Sequence, residues 1–383
     1  MCELFGLSAN IPVNISFSWH GFKKRGKRNP DGWGVAWYNW DKDNESRHTV
    51  SERRGEWIVI RSEYIGPPKG RPKVYLAKEP EPTHTSPIAK FLTNNIRGHI
   101  IISHVRLASQ GERIYVNTHP FIRKLGNFEW VFAHNGDISG IMQNPNFKLK
   151  IFKPIGDTDS EYAFCYILEK LNKLSKDSLE NVLILAQEIR RLATEIGKFG
   201  KFNFLLSNGI FLFAYMNKKN TLHYLLRHPP HKGYATLIDE DLKVNLQEIK
   251  SPNETVALIA TRLLTNENWK RFEPNELIVF HSGDLVLRIT PNGEIKHNLS
   301  EKEVKVLRVI RQSSHAISIA KISEKTNMTP EETAKIIKQL LIKGYIRKNR
   351  NTPYPIEHPE SKYYTNKHIR DIINELIIKK NNE

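Results

Sequence analysis

The second residue of the chain is a cysteine. Removal of Met1, common when the next side chain is small, would make Cys2 the N-terminus. Its α-amino group, with an ordinary pKa of about 7.7–8.0, then stands beside the thiol and can take its proton directly or through water. Nucleophile and base would share one residue. Taken alone, a cysteine at this position is weak evidence for catalysis. Cys165 is the only other cysteine, which excludes a disulfide framework and a four-cysteine zinc site. Arg106 carries a planar fork that can bind a carboxylate through two bonds; the plain alternative is a structural salt bridge. Asp157, Asp159 and Glu161 could be read as a hard-metal cluster, but no glycine-punctuated calcium loop accompanies them and a helical pattern begins there, which also suits Asp159 as a helix cap. Nothing in the sequence demands a metal or an organic cofactor. Asn135-Gly136, between strand-like runs, reads in isolation as a hairpin turn.

These side chains need a folded body to position them. The 383 residues are 39% hydrophobic and 26% charged, which excludes wholesale disorder and is more than one ordinary domain. Apolar runs such as 209–215 fall far short of the roughly 18 residues that span a bilayer, so no membrane helix is expected. The start, MCELFGLSAN, has no basic leader or long apolar run, and a cytoplasmic protein is expected. The net charge of +17 suits an acidic partner without requiring one.

Residues 1–297 read as one large domain. Strand-type runs lie at 34–40, 57–65 and 98–107, helical periodicity at 160–174 and 179–197, and strands again at 202–208, 210–216, 222–228, 255–261, 276–282 and 285–290. Strands, then helices, then strands predict a layered α/β or α+β domain. The texture changes near Lys296, and 298–383 form a second unit. Helices are expected at 300–312, 319–326 and 329–343, the third opened by Thr329, Pro330, Glu331 and Glu332: a cap, a residue suited to the first helical position and two acids at the positive end of the dipole. Two strands at 345–350 and 361–365 and a last helix at 368–379 complete the unit. Three helices followed by a hairpin is a winged helix-turn-helix plan.

Six segments taken in order resemble the class II glutamine amidotransferases, N-terminal-nucleophile hydrolases that release ammonia from glutamine, and most closely the stand-alone branch. They are MCELFGLSAN (1–10), NPDGWGVAWY (29–38), HVRLASQG (104–111), NTHPF (117–121), AHNGDI (133–138) and GDTDSEYAF (156–164). The resemblance implies a four-layer αββα sandwich, an α+β fold. It also implies that Cys2 attacks the side-chain amide of glutamine, and that the Asn135 carboxamide and Gly136 N–H form the oxyanion hole. Such a hole is needed because attack builds negative charge on the carbonyl oxygen. Arg106, with a hydroxyl from Ser109, is implied to hold the substrate α-carboxylate, and Asp159 its α-ammonium. Arg25-Gly26 resembles another family dipeptide near the nucleophile, and Trp33 and Gly34 are expected in the pocket wall. His119 and His134 are expected as hydrogen-bonding framework.

Leu107 stands where several relatives have an aromatic residue and Gln110 where some have histidine, which leaves a hydrolase of another γ-glutamyl amide as an alternative. No sugar-isomerase, phosphoribosyl-transferase or synthetase segment follows the first domain. A partner protein therefore carries the ammonia acceptor, or the product is simply hydrolysed. Within the second unit, residues 299–383 carry a net charge of +7. Thr333, Lys335, Lys338, Gln339 and Lys343 on its third helix, with Arg347, Lys348 and Arg350 in the wing, would suit a recognition helix on DNA. The alternatives are a protein-docking module and an ordinary solvated face, and a glutamine-sensing DNA-binding regulator is the reading from a different class. The last helix would pack on the body of the protein or on a second copy. The basic run at 23–28 is expected in a loop near the active site.

Overall fold

The computed structural model describes residues 2–39, 47–54, 57–64, 72–108, 111–218, 221–239, 242–349, 351–352 and 354–379. Met1, Ser109, Gln110 and Arg350 lie outside the described residues. The chain opens with β1 (Glu3–Asn14), α1 (Ser16–Lys24), β2 (Trp33–Asn39), β3 (Arg47–Arg54), β4 (Trp57–Tyr64), β5 (Lys73–Glu79), α2 (Pro87–Asn95) and β6 (Arg97–Val105). There follow β7 (Phe121–Leu125), β8 (Phe128–Asp137), α3 (Asp159–Leu171), α4 (Lys176–Glu180) and α5 (Val182–Ile196). The next stretch holds β9 (Lys201–Ser207), β10 (Leu212–Met216), β11 (His223–Arg227), β12 (Tyr234–Thr236), β13 (Lys243–Asn245) and α6 (Leu246–Ile249). Then come β14 (Val256–Ala260), β15 (Lys270–Arg271), β16 (Glu276–His281), β17 (Asp284–Ile289) and β18 (Ile295–Lys296). The C-terminal unit comprises α7 (Glu301–Gln312), β19 (Ile317–Ser318), α8 (Ile319–Thr326), α9 (Pro330–Ile342), β20 (Ile346–Lys348), β21 (Lys362–Thr365) and α10 (Arg370–Lys379).

Two seven-stranded sheets form the mixed α+β body, ordered β15-β11-β14-β1-β6-β2-β5 and β18-β17-β16-β10-β9-β8-β7. Alternation along each strand gives both sheets two apolar faces. On β1 and β6, Leu4, Ile100 and Ile102 meet Val131, Ala133, Leu205 and Ala214 of the second sheet. Phe5, Leu7 and Ile101 point the other way, against Trp19 and Phe22 of α1 and Ala89 of α2. The far face of the second sheet, with Phe132, Phe204 and Phe213, buries Phe164 and Ile167 of α3 and Leu185 and Ile189 of α5. Burial on both faces is why these strands read as near-continuous apolar runs. Among the described residues no helix is long and apolar enough to cross a membrane.

The helix expected over 179–197 is two. Asn181 breaks it, because its side chain accepts the N–H groups of Leu183 and Ile184 and so caps α5. Residues 23–28 are not a loop but the end of α1 and a 3-10 turn. Helices α1 and α2 lie in a half of the chain that reads as strand; α2 starts at Pro87 and is capped by Ser86.

In the C-terminal unit, α7 opens with a full capping box between Ser300 and Glu303, and α9 with the Thr329 cap and Pro330. The expected two-stranded hairpin gains a third strand, in the order β19-β21-β20. Leu307, Ile337 and Tyr345 belong to the same apolar cluster as Val286, Phe211 and Leu185 of the body, so the two units share one core. At the joint, Tyr345 Oη donates to Val286 O (3.2 Å) and the Asn366 amide bridges Gly344 O (2.7 Å) and His281 Nε2 (3.1 Å).

Candidate active site

Antiparallel pairing brings the first residues of β1 beside the last of β6: Glu3 pairs with Val105 and Leu4 with His104. Cys2 and Arg106, the residues just beyond, therefore meet at one end of the sandwich. In the second sheet the end of β8 lies beside the start of β9, with Asn135 opposite Asn203, Gly136 opposite Phe202 and Asp137 opposite Lys201. The N-terminus of α3 completes the site. Cys2, Arg106, Leu107, Ala108, His119, His134, Gly136, Thr158, Asp159 and Ser160 line a single cleft of about 310 Å³, a volume that includes its open mouth.

The Leu107 peptide pins the nucleophile: Cys2 Sγ donates to Leu107 O (3.1 Å) and accepts from Leu107 N–H (3.2 Å). The residue keeps some exposed surface, but its thiol sits in the floor of the cleft, where desolvation raises its pKa. The Leu107 N–H bond and the positive charge of Arg106 oppose that rise. Glu3, the next residue, is buried and held by Arg25 Nη1 at 2.5 Å. Arg25 also donates to Asp239 and to the carbonyls of Arg262 and Leu263. Arg25 thus anchors the start of β1 from behind and does not line the cleft. Gly26, Trp33 and Gly34 do not line it either. A Cβ at Gly26 would fall 2.9 Å from Thr83 N, Trp33 lies in the core beneath α1, and a Cβ at Gly34 would fall 2.2 Å from His119 O. The contacts these positions make are packing contacts behind the cleft.

Arg106 is buried, and its Nη1 and Nη2 donate to Glu112 O (3.0 Å) and Gly111 O (3.2 Å), tying down the loop that follows it. Its backbone is fixed by Gly32 O (2.7 Å) and Asp31 N–H (3.1 Å). Asp159 is not the cap of α3: Thr158 is, accepting Glu161 N–H at 3.2 Å. Asp159 instead occupies the first turn, 3% exposed, with Oδ2 accepting Ile138 N–H (2.7 Å) and Oδ1 facing Ser160 Oγ (3.1 Å). Glu161 is engaged by Arg123 and by Gly156 N–H, away from Asp159. Asn135-Gly136 is no turn but part of β8, and a Cβ at Gly136 would lie 1.6 Å from Lys201 O.

Three buried histidines underlie the cleft. Burial pushes all three pKa values down, that of His104 to about 3. His134 is therefore neutral, and Lys201 O at 3.1 Å requires the proton on Nε2. Nδ1 lies 2.8 Å from Ser160 Oγ, whose single proton is shared between that nitrogen and Asp159 Oδ1 at 3.1 Å. His119 lines the cleft, and neither of its ring nitrogens has a partner among the described residues.

Ser160, which lines the cleft, and Lys201, which touches His134 and Asn135, carry no local sequence signal for either position. Ser160 hydrogen-bonds His134, 26 residues away, and Lys201 lies 66 residues from Asn135, whose Oδ1 its Nζ reaches at 3.3 Å. On α9, Thr333 is fully buried and cannot touch DNA, whereas Lys335, Lys338 and Gln339 are exposed. Lys338 pairs with Glu357 (2.8 Å), Lys343 with Glu303 (2.8 Å), and Lys348 donates to Thr352 O (2.9 Å). Arg347 is half-buried.

Cys2, Arg106, Gly136 and Asp159 share one cleft between the two sheets, and Asn135 lies buried beside Gly136 without being one of the lining residues; the chain belongs to the family described as class II glutamine amidotransferases, whose profile matches residues 1–304. An uncharacterised protein of Methanocaldococcus jannaschii is 35% identical over 379 residues, covering 95% of this chain and 93% of that one. YafJ of Escherichia coli K12, a candidate glutamine amidotransferase, is 35% identical over 292 residues, covering 75% of this chain and all of YafJ. About a quarter of the present chain thus has no counterpart in YafJ. The crystal structure of a predicted glutamine amidotransferase from Pseudomonas aeruginosa is 27% identical, with a TM-score of 0.45, over 74% of this chain and 99% of that one.

Proposed function

We propose that the protein is an N-terminal-nucleophile hydrolase that releases ammonia from glutamine with Cys2, freed at the N-terminus by loss of Met1. The observation that carries this reading is the convergence of Cys2, Arg106, Gly136 and Asp159 on one cleft from two sheets and a helix. The Cys2 thiolate attacks the side-chain carbonyl carbon, and its α-amino group accepts the thiol proton. The oxyanion is met by Gly136 N–H and the Asn135 amide. Collapse expels ammonia, with the proton returned from the α-amino group, and leaves a γ-glutamyl thioester. Water attacks that thioester, gives glutamate and restores the thiol. Arg106 binds the α-carboxylate, joined by Ser109, and Asp159 the α-ammonium. Purified protein of confirmed intact mass should release glutamate and ammonia in equal amounts, and Cys2→Ala should release neither. Release by Cys2→Ala, or none from correctly processed protein given glutamine and γ-glutamyl amides, would refute the mechanism.

We further read the C-terminal unit as a winged helix. Helices α7, α8 and α9 and the three-stranded sheet support that reading, and exposed Lys335 and Gln339 support an anionic partner such as DNA. The acids paired with Lys338 and Lys343 favour protein docking instead. Salt-sensitive retardation of duplex DNA by the full chain, lost on Lys335→Glu, decides for DNA; no retardation at low salt decides against it.

A further inference from the structure

Lys201 opens β9 directly beside the end of β8, and its backbone position is locked twice. Its carbonyl accepts His134 Nε2–H (3.1 Å), and that carbonyl approaches Gly136 so closely that no side chain fits there. Its half-buried side chain turns to the site, and Nζ donates to Asn135 Oδ1 (3.3 Å). An ammonium has donors only, so it can face only the oxygen of a carboxamide. The contact therefore decides which way round the Asn135 amide sits, and Nδ2, without a partner among the described residues, is left to donate elsewhere. Burial, with a smaller effect of Lys218, holds the Lys201 ammonium below its usual pKa range, and a thiolate at Cys2 would counter that. The bond to Asn135 holds the ammonium next to Gly136 of the cleft that also contains Cys2, and a positive charge near a thiol favours its thiolate.

We propose that Lys201 is a positioning residue for the thiol chemistry, holding the Asn135 amide with its N–H groups toward the developing oxyanion and adding a positive charge near Cys2. The first half rests on the amide-hydrolysis reading given above; the second half needs only the thiol. A lysine on a solvated strand end would do neither, and the partial burial and the bond to Asn135 separate the two cases.

The test compares Lys201→Met, which keeps the length and loses the charge and donors, with Lys201→Arg, which keeps both. Deleting one oxyanion donor costs about 10²–10³ in kcat. Misorienting one should cost roughly tenfold or more, with KM for glutamine within about twofold, and Lys201→Arg should recover most of it. In the Asn135→Ala background, Lys201→Met should add little, since the two act through one amide. The second readout is iodoacetamide alkylation of Cys2 against pH, which requires no turnover. Cys2 also faces Arg106, Asp159, His119 and His134 across the cleft, all retained in both variants. The Lys201→Met curve should shift to higher pH and the Lys201→Arg curve should not. Unchanged kcat, a rise in KM alone, or coincident alkylation curves would overturn the proposal. If the wild-type protein proves inert toward glutamine, the hydrolysis reading fails by itself, and the alkylation curves still decide the role of the Lys201 charge.

Discussion

Asp159→Asn isolates the charge of the proposed ammonium site with little change of shape. In the native protein Asp159 Oδ2 accepts Ile138 N–H at 2.7 Å, and Oδ1 lies 3.1 Å from Ser160 Oγ. An asparagine can keep the first bond through its own oxygen. Its NH₂ then points at Ser160 Oγ, which accepts while giving its proton to His134 Nδ1, 2.8 Å away. No donor or acceptor is orphaned, so folding stability should change by no more than about 1 kcal/mol. Substrate binding is different. A substrate ammonium would meet an NH₂ group in place of a carboxylate, losing a charge-assisted bond worth about 1.5–3 kcal/mol. At about 1.4 kcal/mol per tenfold, kcat/KM for glutamine should fall by about 10- to 150-fold, chiefly through KM. A substrate analogue lacking the α-amino group should be hydrolysed about equally by both enzymes. The assay is enzyme-coupled glutamate release across a substrate series, with thermal melting as the fold control. A well-folded Asp159→Asn enzyme with unchanged KM, or with a kcat loss alone, would refute the ammonium role.

Gly34→Ala places a Cβ 2.2 Å from His119 O and 2.7 Å from Lys78 Cβ, so overpacking should cost about 1–3 kcal/mol, read from urea denaturation; an unchanged midpoint would show that the strand does not approach so closely. His104, ordinarily near 6.5, is depressed to about 3 by burial and by Arg106, so its neutral form is favoured in the native state. The unfolded chain takes up that proton first as the pH falls, and stability should drop from about pH 6.5 toward pH 3. His104→Asn should flatten this limb of a urea-midpoint profile, and an unaltered slope would reject the assignment. Because one apolar cluster spans Val286 and Phe211 of the body and Leu307, Ile337 and Tyr345 of the C-terminal unit, calorimetry should show one unfolding transition; two well-separated transitions would contradict a shared core.

Local chemistry made much of the architecture legible. Continuous apolar runs marked β9, β10, β14, β16 and β17, because strands buried on both faces carry no polar alternation. Thr329-Pro330-Glu331-Glu332 marked the start of α9, since a cap and its dipole partners lie within four residues of each other. Cys2, Arg106, Gly136 and Asp159 stand out in the sequence through an ordered set of motifs, and they share a cleft. What the chain could not display was pairing at a distance. Asn135-Gly136 has the local signature of a turn, and only its ladder with Asn203 and Phe202 makes it strand. Thr333 looks like a polar helix-face residue until the packing of α9 buries it. Arg25 became an anchor for Glu3 because α1 returns across the first sheet, and Lys201 met Asn135 because β8 and β9 pair at their ends. Residue chemistry, periodicity and caps follow from the order of amino acids alone, since they act within one or two turns of chain. Which backbone carbonyl, amide or ammonium each group faces was set by the packing of the whole molecule, because those partners come from strands and helices far apart in the chain.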